Sequence, residues 1–245
     1  QSDSPIQDEL TIVVNSCDNY ADVLELFLKC FDEYWPKDFS SLVVNTESSD
    51  LLNYSPGEKV SKAWGQRLID TLNKVDTDYV IMLFDDYLLE DFVDDKKIIS
   101  ALNVLKGDPK SSVFYLNAAC VSDHEDDPGC DYRILKQQVE YRLNSVPSIW
   151  RRKDLISYTG GMDSPWSWEV FGSFRTFNQE KNFYSTSSQS KNIFNYNHQK
   201  GGGIYRGKWV REVVESKVLK YGLDIDFNIR GIIEFEEKVK RNLKW

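Results

Sequence analysis

Two adjacent carboxylates, Asp85 and Asp86, end the most apolar run of the chain, Tyr79 to Phe84 (YVIMLF). A run with no polar break and no alternation has the pattern of a strand buried on both faces, so the pair leaves a sheet at a strand's carboxyl end. Carboxylates at such close range repel unless a cation or hydrogen-bond donors lie between them. A hard divalent ion shared with phosphate oxygens would resolve that repulsion. The same pair also suits an exposed turn or the cap of a following helix. A third carboxylate, Glu169, follows the helix-start dipeptide Ser164-Pro165 and is flanked by Trp166 and Trp168. Aromatic neighbours exclude water and raise a carboxyl pKa, while the first turns of a helix lower it. A group so placed is suited to take a proton from a hydroxyl. The alternative is an ordinary amphipathic helix with Trp166, Trp168 and Phe171 in the core and Glu169 on its solvated side.

These groups need elements that bring strand ends and helix starts together. The N-terminal half supplies them by alternating short apolar runs with helical patterns, the signature of βαβ units and a largely parallel sheet. Strands are expected at Leu10–Asn15, Ser41–Asn45, Tyr79–Phe84 and Ser112–Leu116. Helices are expected over Asp22–Tyr34 (stopped by Pro36), around Val60, Trp64, Leu68 and Leu72, and over Lys96–Leu105. Beyond an acidic loop at His124–Gly129, residues 132–143 read as two short antiparallel strands about Lys136-Gln137. Ser164 caps a helix over Trp166–Phe177. Residues 181–207 read as a loop, and helices over Trp209–Tyr221 and Ile232–Leu243 close the chain.

Composition narrows the partners. The 245 residues carry 30 Lys and Arg against 39 Asp and Glu, a formal charge of -9, which argues against a grip on phosphate backbones and hence against nucleic acid. No apolar run reaches the roughly 18 residues of a membrane span. The start at Gln1, without methionine, fits a processed chain or an excised segment. The cysteines, Cys17, Cys30, Cys120 and Cys130, form no CxxC pair and read as free thiols, with a Cys120–Cys130 disulfide as the alternative.

With TIVVNS as its opening strand, SLVVNTE as its second, and YVIMLFDDYLL after a helix, the chain resembles the nucleotide-binding half of GT-A glycosyltransferases. The stretch Pro147–Asp154 (PSIWRRKD), then Ser164–Ser173 (SPWSWEVFGS), is similar to bacterial polysaccharide glycosyltransferases of the family-2-like kind, as is Gly203–Trp209 (GIYRGKW). The likeness runs from residue 10 to about 230. It implies an α/β fold of GT-A (Rossmann-like) type: a mixed, mostly parallel sheet flanked by helices. One domain is expected, with a nucleotide-binding half at about 8–117 and an acceptor-binding half at about 118–245. A DxD-type motif, here Asp85-Asp86-Tyr87 with Tyr87 where a strict motif has an acid, would hold Mn²⁺ or Mg²⁺ on the diphosphate. Glu169 matches the acidic residue that stands at a helix start beside the acceptor.

The implied activity is metal-dependent, inverting transfer of a sugar from a nucleotide-sugar donor to a glycan or lipid-linked acceptor in bacterial surface polysaccharide synthesis. The expected setting is cytoplasmic, peripheral to the inner face of the membrane. Candidate donor contacts are Asn15 and Asp18 after the first strand, Asn45 and Glu47 after the second, Arg67 on the following helix, and Arg206 and Lys208 near the glycine run. Each also suits a turn, a cap or a solvated surface. Trp150, Trp166 and Trp168 are the candidate acceptor contacts, since an indole stacks on the apolar face of a pyranose. His198, before Gly201-Gly202-Gly203, is a candidate metal ligand on a closing loop. Two other readings stay open. A sugar-nucleotide pyrophosphorylase would use similar carboxylates but wants a glycine-rich loop after the first strand. A carbohydrate-binding module would use the tryptophans alone.

Overall fold

A computed structural model describes residues 8–37, 41–48, 63–121, 129–197 and 199–242. In chain order the elements are β1 (Leu10–Asn15), α1 (Ala21–Tyr34), β2 (Ser41–Asn45), α2 (Trp64–Asn73), β3 (Tyr79–Phe84), α3 (Asp95–Gly107), β4 (Ser111–Tyr115) and β5 (Tyr132–Ile134). There follow β6 (Ser148–Arg151), α4 (Arg152–Tyr158), α5 (Pro165–Arg175), β7 (Asn182–Thr186), β8 (Ile204–Tyr205), β9 (Lys208–Val210), α6 (Arg211–Tyr221), α7 (Phe227–Arg230), β10 (Ile232–Ile233) and α8 (Phe235–Asn242). They group into two compact units. The larger draws on the segments ending at Asp18, Phe84 and Phe194; the smaller draws on Asn19–Trp35, Asp85–Val93 and the chain from Asn195.

The larger unit is built on a seven-stranded sheet in the order β2-β1-β3-β6-β4-β7-β5. β1 runs parallel to β2 and β3, and β4 parallel to β7. β6 lies antiparallel between β3 and β4, and β5 antiparallel against β7. The apolar run of β3 is explained by burial on both sides: Val80 and Met82 enter the core cluster with Trp64, Leu68 and Leu72 of α2, while Ile81 and Leu83 are fully buried outside it. Trp150 of β6 centres that cluster, meeting Trp168, Tyr115 and Phe183 edge-on. Edge-to-face packing is a favoured geometry for such rings.

Several expectations change here. Residues 132–143 form no hairpin: β5 pairs with β7, in the register Tyr132↔Thr186, and the chain after it is loop. That loop is tied down by Arg142, fully buried, whose guanidinium donates to the carbonyls of Thr176 and Lys181 and stacks 3.9 Å over the Phe183 ring. β6 and β7 occupy stretches with no strand expected, because each is short and its buried face is supplied by tertiary neighbours rather than by a long apolar run. Val60 lies outside the described residues, as does the acidic loop of His124–Gly129 except for Gly129. Cys120 and Cys130 are free thiols.

In the smaller unit, Phe27, Phe31 and Trp35 stack in succession along α1. Ion pairs Asp22–Arg230, Glu33–Lys220 and Glu90–Lys217 tie its segments together. Trp209 starts no helix: it lies in β9, paired with β8 across a two-residue turn, and α6 begins at Arg211. The turn is made by Arg206 at φ 48° and Gly207 at φ 79°, the two positive angles that a tight type I′ hairpin requires. Ile232 and Ile233 likewise join β9 as the parallel strand β10, and α8 starts only at Phe235; Leu243, expected in that helix, lies outside the described residues.

Candidate active site

The carboxyl ends of β1 and β2 hold a continuous polar network in the larger unit, where ligands of open α/β sheets bind. Asn15 and Asn45 are register partners, both buried. Asn45 Nδ2 donates to Asn15 Oδ1 at 3.0 Å, Trp64 Nε1 donates to the same oxygen at 3.2 Å, and Asn15 Nδ2 donates to the Leu83 carbonyl. Arg67, buried on α2, reaches Asn45 Oδ1 at 3.4 Å and pairs with Glu47 at 3.3 Å. Glu47 in turn accepts from the Asp18 amide at 2.7 Å, and Asp18 accepts from the Ser48 amide at 2.8 Å. Burial pushes the Glu47 carboxyl up, but the Asp18 and Glu47 amides and the Arg67 charge outweigh it and leave the pKa lowered. The network thus holds the Glu47 carboxylate in its ionised form at neutral pH, next to the ends of β1 and β2. All five residues that sequence singles out in the first 70 positions meet here.

In the smaller unit the segment after β3 is pinned by the chain around the glycine run. Asp86 O accepts from the Gly203 amide at 2.6 Å, Leu89 bridges to Tyr196, and the Tyr87 ring packs 4.7 Å from the Tyr196 ring. Tyr87 is therefore a packing residue in the position where a DxD motif has its second acid. Asp85 is buried and Asp86 half-buried. The Asp86 carboxylate abuts Gly202 so closely that a Cβ there would stand 2.4 Å from Oδ2. Lys238 of α8 places its ammonium beside the same run, donating to the Lys200 carbonyl at 2.6 Å. Burial pushes the Lys238 pKa down, and the Asp86 charge opposes that shift.

Among the described residues no group of three or more His, Cys, Asp or Glu side chains could hold a metal. One or two carboxylates with phosphate oxygens and water are nonetheless the usual donor set for Mg²⁺ and suit Mn²⁺, so Asp85 and Asp86 fit such an ion in the presence of a diphosphate. His198 lies outside the described residues. Arg206 sits at the tip of the β8–β9 hairpin over the Tyr205 ring, and Lys208 is exposed on β9.

Glu169 belongs to the larger unit, in the second turn of α5. Ser164 caps that helix, exchanging bonds with Ser167 in a capping box, with Pro165 in the first turn. α5 packs closely on the loop that Arg142 holds: a Cβ at Gly172 would stand 2.9 Å from Leu143 Cδ1. That closeness lets two amides of the loop reach the helix. Leu143 N–H donates to Ser173 Oγ at 2.9 Å and Ser145 N–H to Glu169 Oε1 at 2.7 Å. Glu169 makes no ion pair among the described residues. Its pKa is raised, because burial outweighs the hydrogen bonds from Ser145.

The tryptophans separate. Trp150 and Trp168 are both fully buried, so neither has a face to offer a sugar, and their reading as acceptor contacts is corrected to a core role. Trp166 is 61% exposed and meets the exposed Phe171 edge-on. Sequence reading missed Ser145, which acts on Glu169 through both its amide and its side chain and belongs to no recognisable motif. It also missed Gly202 and Lys238, although three successive glycines signal close approach of other groups to the backbone.

No protein-family model and no curated protein sequence matches the chain. Among solved structures, S. aureus TarS is similar over 91% of this chain and 41% of that one, with a TM-score of 0.51 at 11% identity. The fold is of the GT-A type. S. aureus TarS 1-349 aligns over 74% of this chain and 59% of that one, at a TM-score of 0.47 and 14% identity. The CMP:2-keto-3-deoxy-manno-octonic acid synthetase complexed with CTP aligns over 76% and 93%, at a TM-score of 0.44 and 12% identity. The chain therefore spans only 41% to 59% of the length of these two TarS structures. Among the described residues no helix is long and apolar enough to cross a membrane.

Proposed function

We propose that this chain is an inverting glycosyltransferase that moves a sugar from a nucleotide-sugar donor to a hydroxyl of a glycan or lipid-linked acceptor. The observation that carries this reading is Glu169, a half-buried carboxylate of raised pKa, held by the Ser145 amide and paired with no cation among the described residues. A structural carboxylate is normally neutralised where it is buried, whereas a proton acceptor works best with its pKa lifted toward neutrality. The polar network at the ends of β1 and β2 supports the reading, in which the Asp18 and Glu47 carboxylates take base or ribose hydroxyls.

In this reading Glu169 accepts the proton of the acceptor hydroxyl as that oxygen bonds to the anomeric carbon, and the nucleoside diphosphate leaves from the opposite face. Mn²⁺ or Mg²⁺ held by Asp85 and Asp86 would neutralise charge on the leaving diphosphate. Arg206 and Lys208 are the further candidates for phosphate charge, and Trp166 for stacking on the acceptor. Surface polysaccharide assembly at the cytoplasmic membrane face is the setting this chemistry suits. Tyr87 in place of the second acid leaves the two adjacent carboxylates as the whole acidic motif.

The test is Glu169→Gln, which keeps shape and the Ser145 bond but cannot take a proton. Donor affinity is expected to persist while turnover falls about 10²-fold or more. NMR of the wild-type product should show the anomeric configuration opposite to that of the donor. Wild-type turnover in Glu169→Gln, or a retained anomer, would overturn the mechanism.

A further inference from the structure

Lys238 is an ammonium whose charge feels the Asp86 carboxylate without forming an ion pair with it. Among the described residues it makes no ion pair and one hydrogen bond, to the Lys200 carbonyl, and the rings of Tyr205 and Phe235 lie 5.6 Å and 6.0 Å from its Nζ. The contrast with its own helix is sharp, since Lys240 and Arg241 pair with Glu236 and Glu237 one turn back. A half-buried cation that satisfies one donor out of three on a neutral oxygen retains capacity for an anion.

What Lys238 faces is a backbone stripped of side chains. A Cβ at Gly201 would stand 2.8 Å from Nζ, and a Cβ at the adjacent Gly202 would stand 2.4 Å from Asp86 Oδ2. One glycine run therefore carries the ammonium at one residue and the carboxylate of the acidic pair at the next. Gly201 stands at φ 78°, a conformation that favours glycine, and the absence of a side chain there lets the ammonium lie close to the run.

We propose that Lys238 and the Gly201–Gly203 run form an anion site that binds the diphosphate of the nucleotide, with Lys238 contacting phosphate oxygens directly. This rests on the nucleotide-sugar reading for the identity of the ligand, but the site itself is testable without it. An ammonium donates charge-assisted bonds to phosphate as a compact point charge, and its helix brings it to the acidic pair from the far end of the chain. The C-terminal helix is then part of the donor site rather than a trailing element.

The probe is inorganic pyrophosphate, titrated calorimetrically into the whole chain in EDTA and again with Mg²⁺. Lys238→Met should weaken binding at least about tenfold in EDTA, Lys238→Arg should retain most of it, and the affinity of Lys238→Met should fall less steeply with salt than that of the wild type. Melting curves of all three proteins keep a folding defect apart from a lost contact, and retention by Lys238→Arg excludes a merely structural role. Failure of the wild type to bind pyrophosphate, or equal binding by folded Lys238→Met, would overturn the site. If Lys238→Met loses pyrophosphate but no nucleotide sugar is ever turned over, the anion site stands and the transferase reading falls. If turnover is present and indifferent to Lys238→Met, the reverse holds.

Discussion

Replacing Gly202 with alanine asks whether the Asp86 carboxylate must stand where it does. The added Cβ would lie 2.4 Å from Oδ2, 3.0 Å from Cγ and 3.2 Å from the Asp86 carbonyl oxygen. Ordinary van der Waals contact begins at 3.4 Å, so the carboxylate must retreat by about 1 Å. The backbone cannot take up that movement cheaply, because the Asp86 carbonyl is held by the Gly203 amide at 2.6 Å. Overpacking of this kind costs about 1–3 kcal/mol, which a folded chain survives. A misplacement of about 1 Å in a positioning group can cost about 10²-fold in rate. Gly202→Ala should therefore melt somewhat lower, lose about two orders of magnitude in turnover, and bind a nucleoside diphosphate with Mn²⁺ little better than in EDTA. Gly107→Ala is the control, since its Cβ would meet nothing within 4 Å. Wild-type turnover and metal-dependent affinity in Gly202→Ala would refute the placement of Asp86 at the diphosphate.

Glu169, raised by burial, should make kcat/KM fall as the pH drops through its pKa. The stability sign is the opposite of a salt-bridged carboxylate's: the stabilising contribution is full below the unfolded pKa and lost as pH rises through the folded one. Glu169→Gln should thus be at least as stable as wild type at pH 8, with the difference shrinking toward pH 4 in paired melts. Arg67→Ala should cost about 2–3 kcal/mol by chemical denaturation, less than a fully buried pair because Glu47 is 31% exposed, and should weaken nucleotide binding. Trp168→Ala should cost about 3–5 kcal/mol as a core truncation, while Trp166→Ala should leave stability within about 0.5 kcal/mol and raise KM for the acceptor.

What was legible in the sequence follows from how local its cause is. β1, β2 and β3 carry their own apolar runs, so their bounds coincide with the structure, and the Ser164-Pro165 cap announces α5. β6 and β7 are four and five residues long, and their burial comes from Trp168, Tyr158 and the Arg142 guanidinium, none of them adjacent in sequence. Trp209 and Ile232 looked helical because a short strand feeding a helix shares its apolar pattern, and only the Arg206-Gly207 turn reveals the hairpin. Residue type singled out Asn15, Asn45, Glu47 and Arg67, which the structure joins in one network, and Glu169, which it holds on α5 beside Ser145. It could not find Lys238, whose meaning depends on a glycine run 35 residues earlier in the chain.

The measurement that bears most directly on the central proposal is a thermal-shift panel of nucleotide sugars and nucleoside diphosphates over the common bases, each with Mn²⁺ and with EDTA. A ligand at 100 times its Kd stabilises the folded chain by about 2.7 kcal/mol, enough to shift a melting curve clearly. At least one nucleotide sugar should raise the melting temperature, and the shift should shrink in EDTA and in Asp86→Ala. If no nucleotide sugar or diphosphate at millimolar concentration moves the curve, with or without metal, the chain is not a nucleotide-sugar transferase.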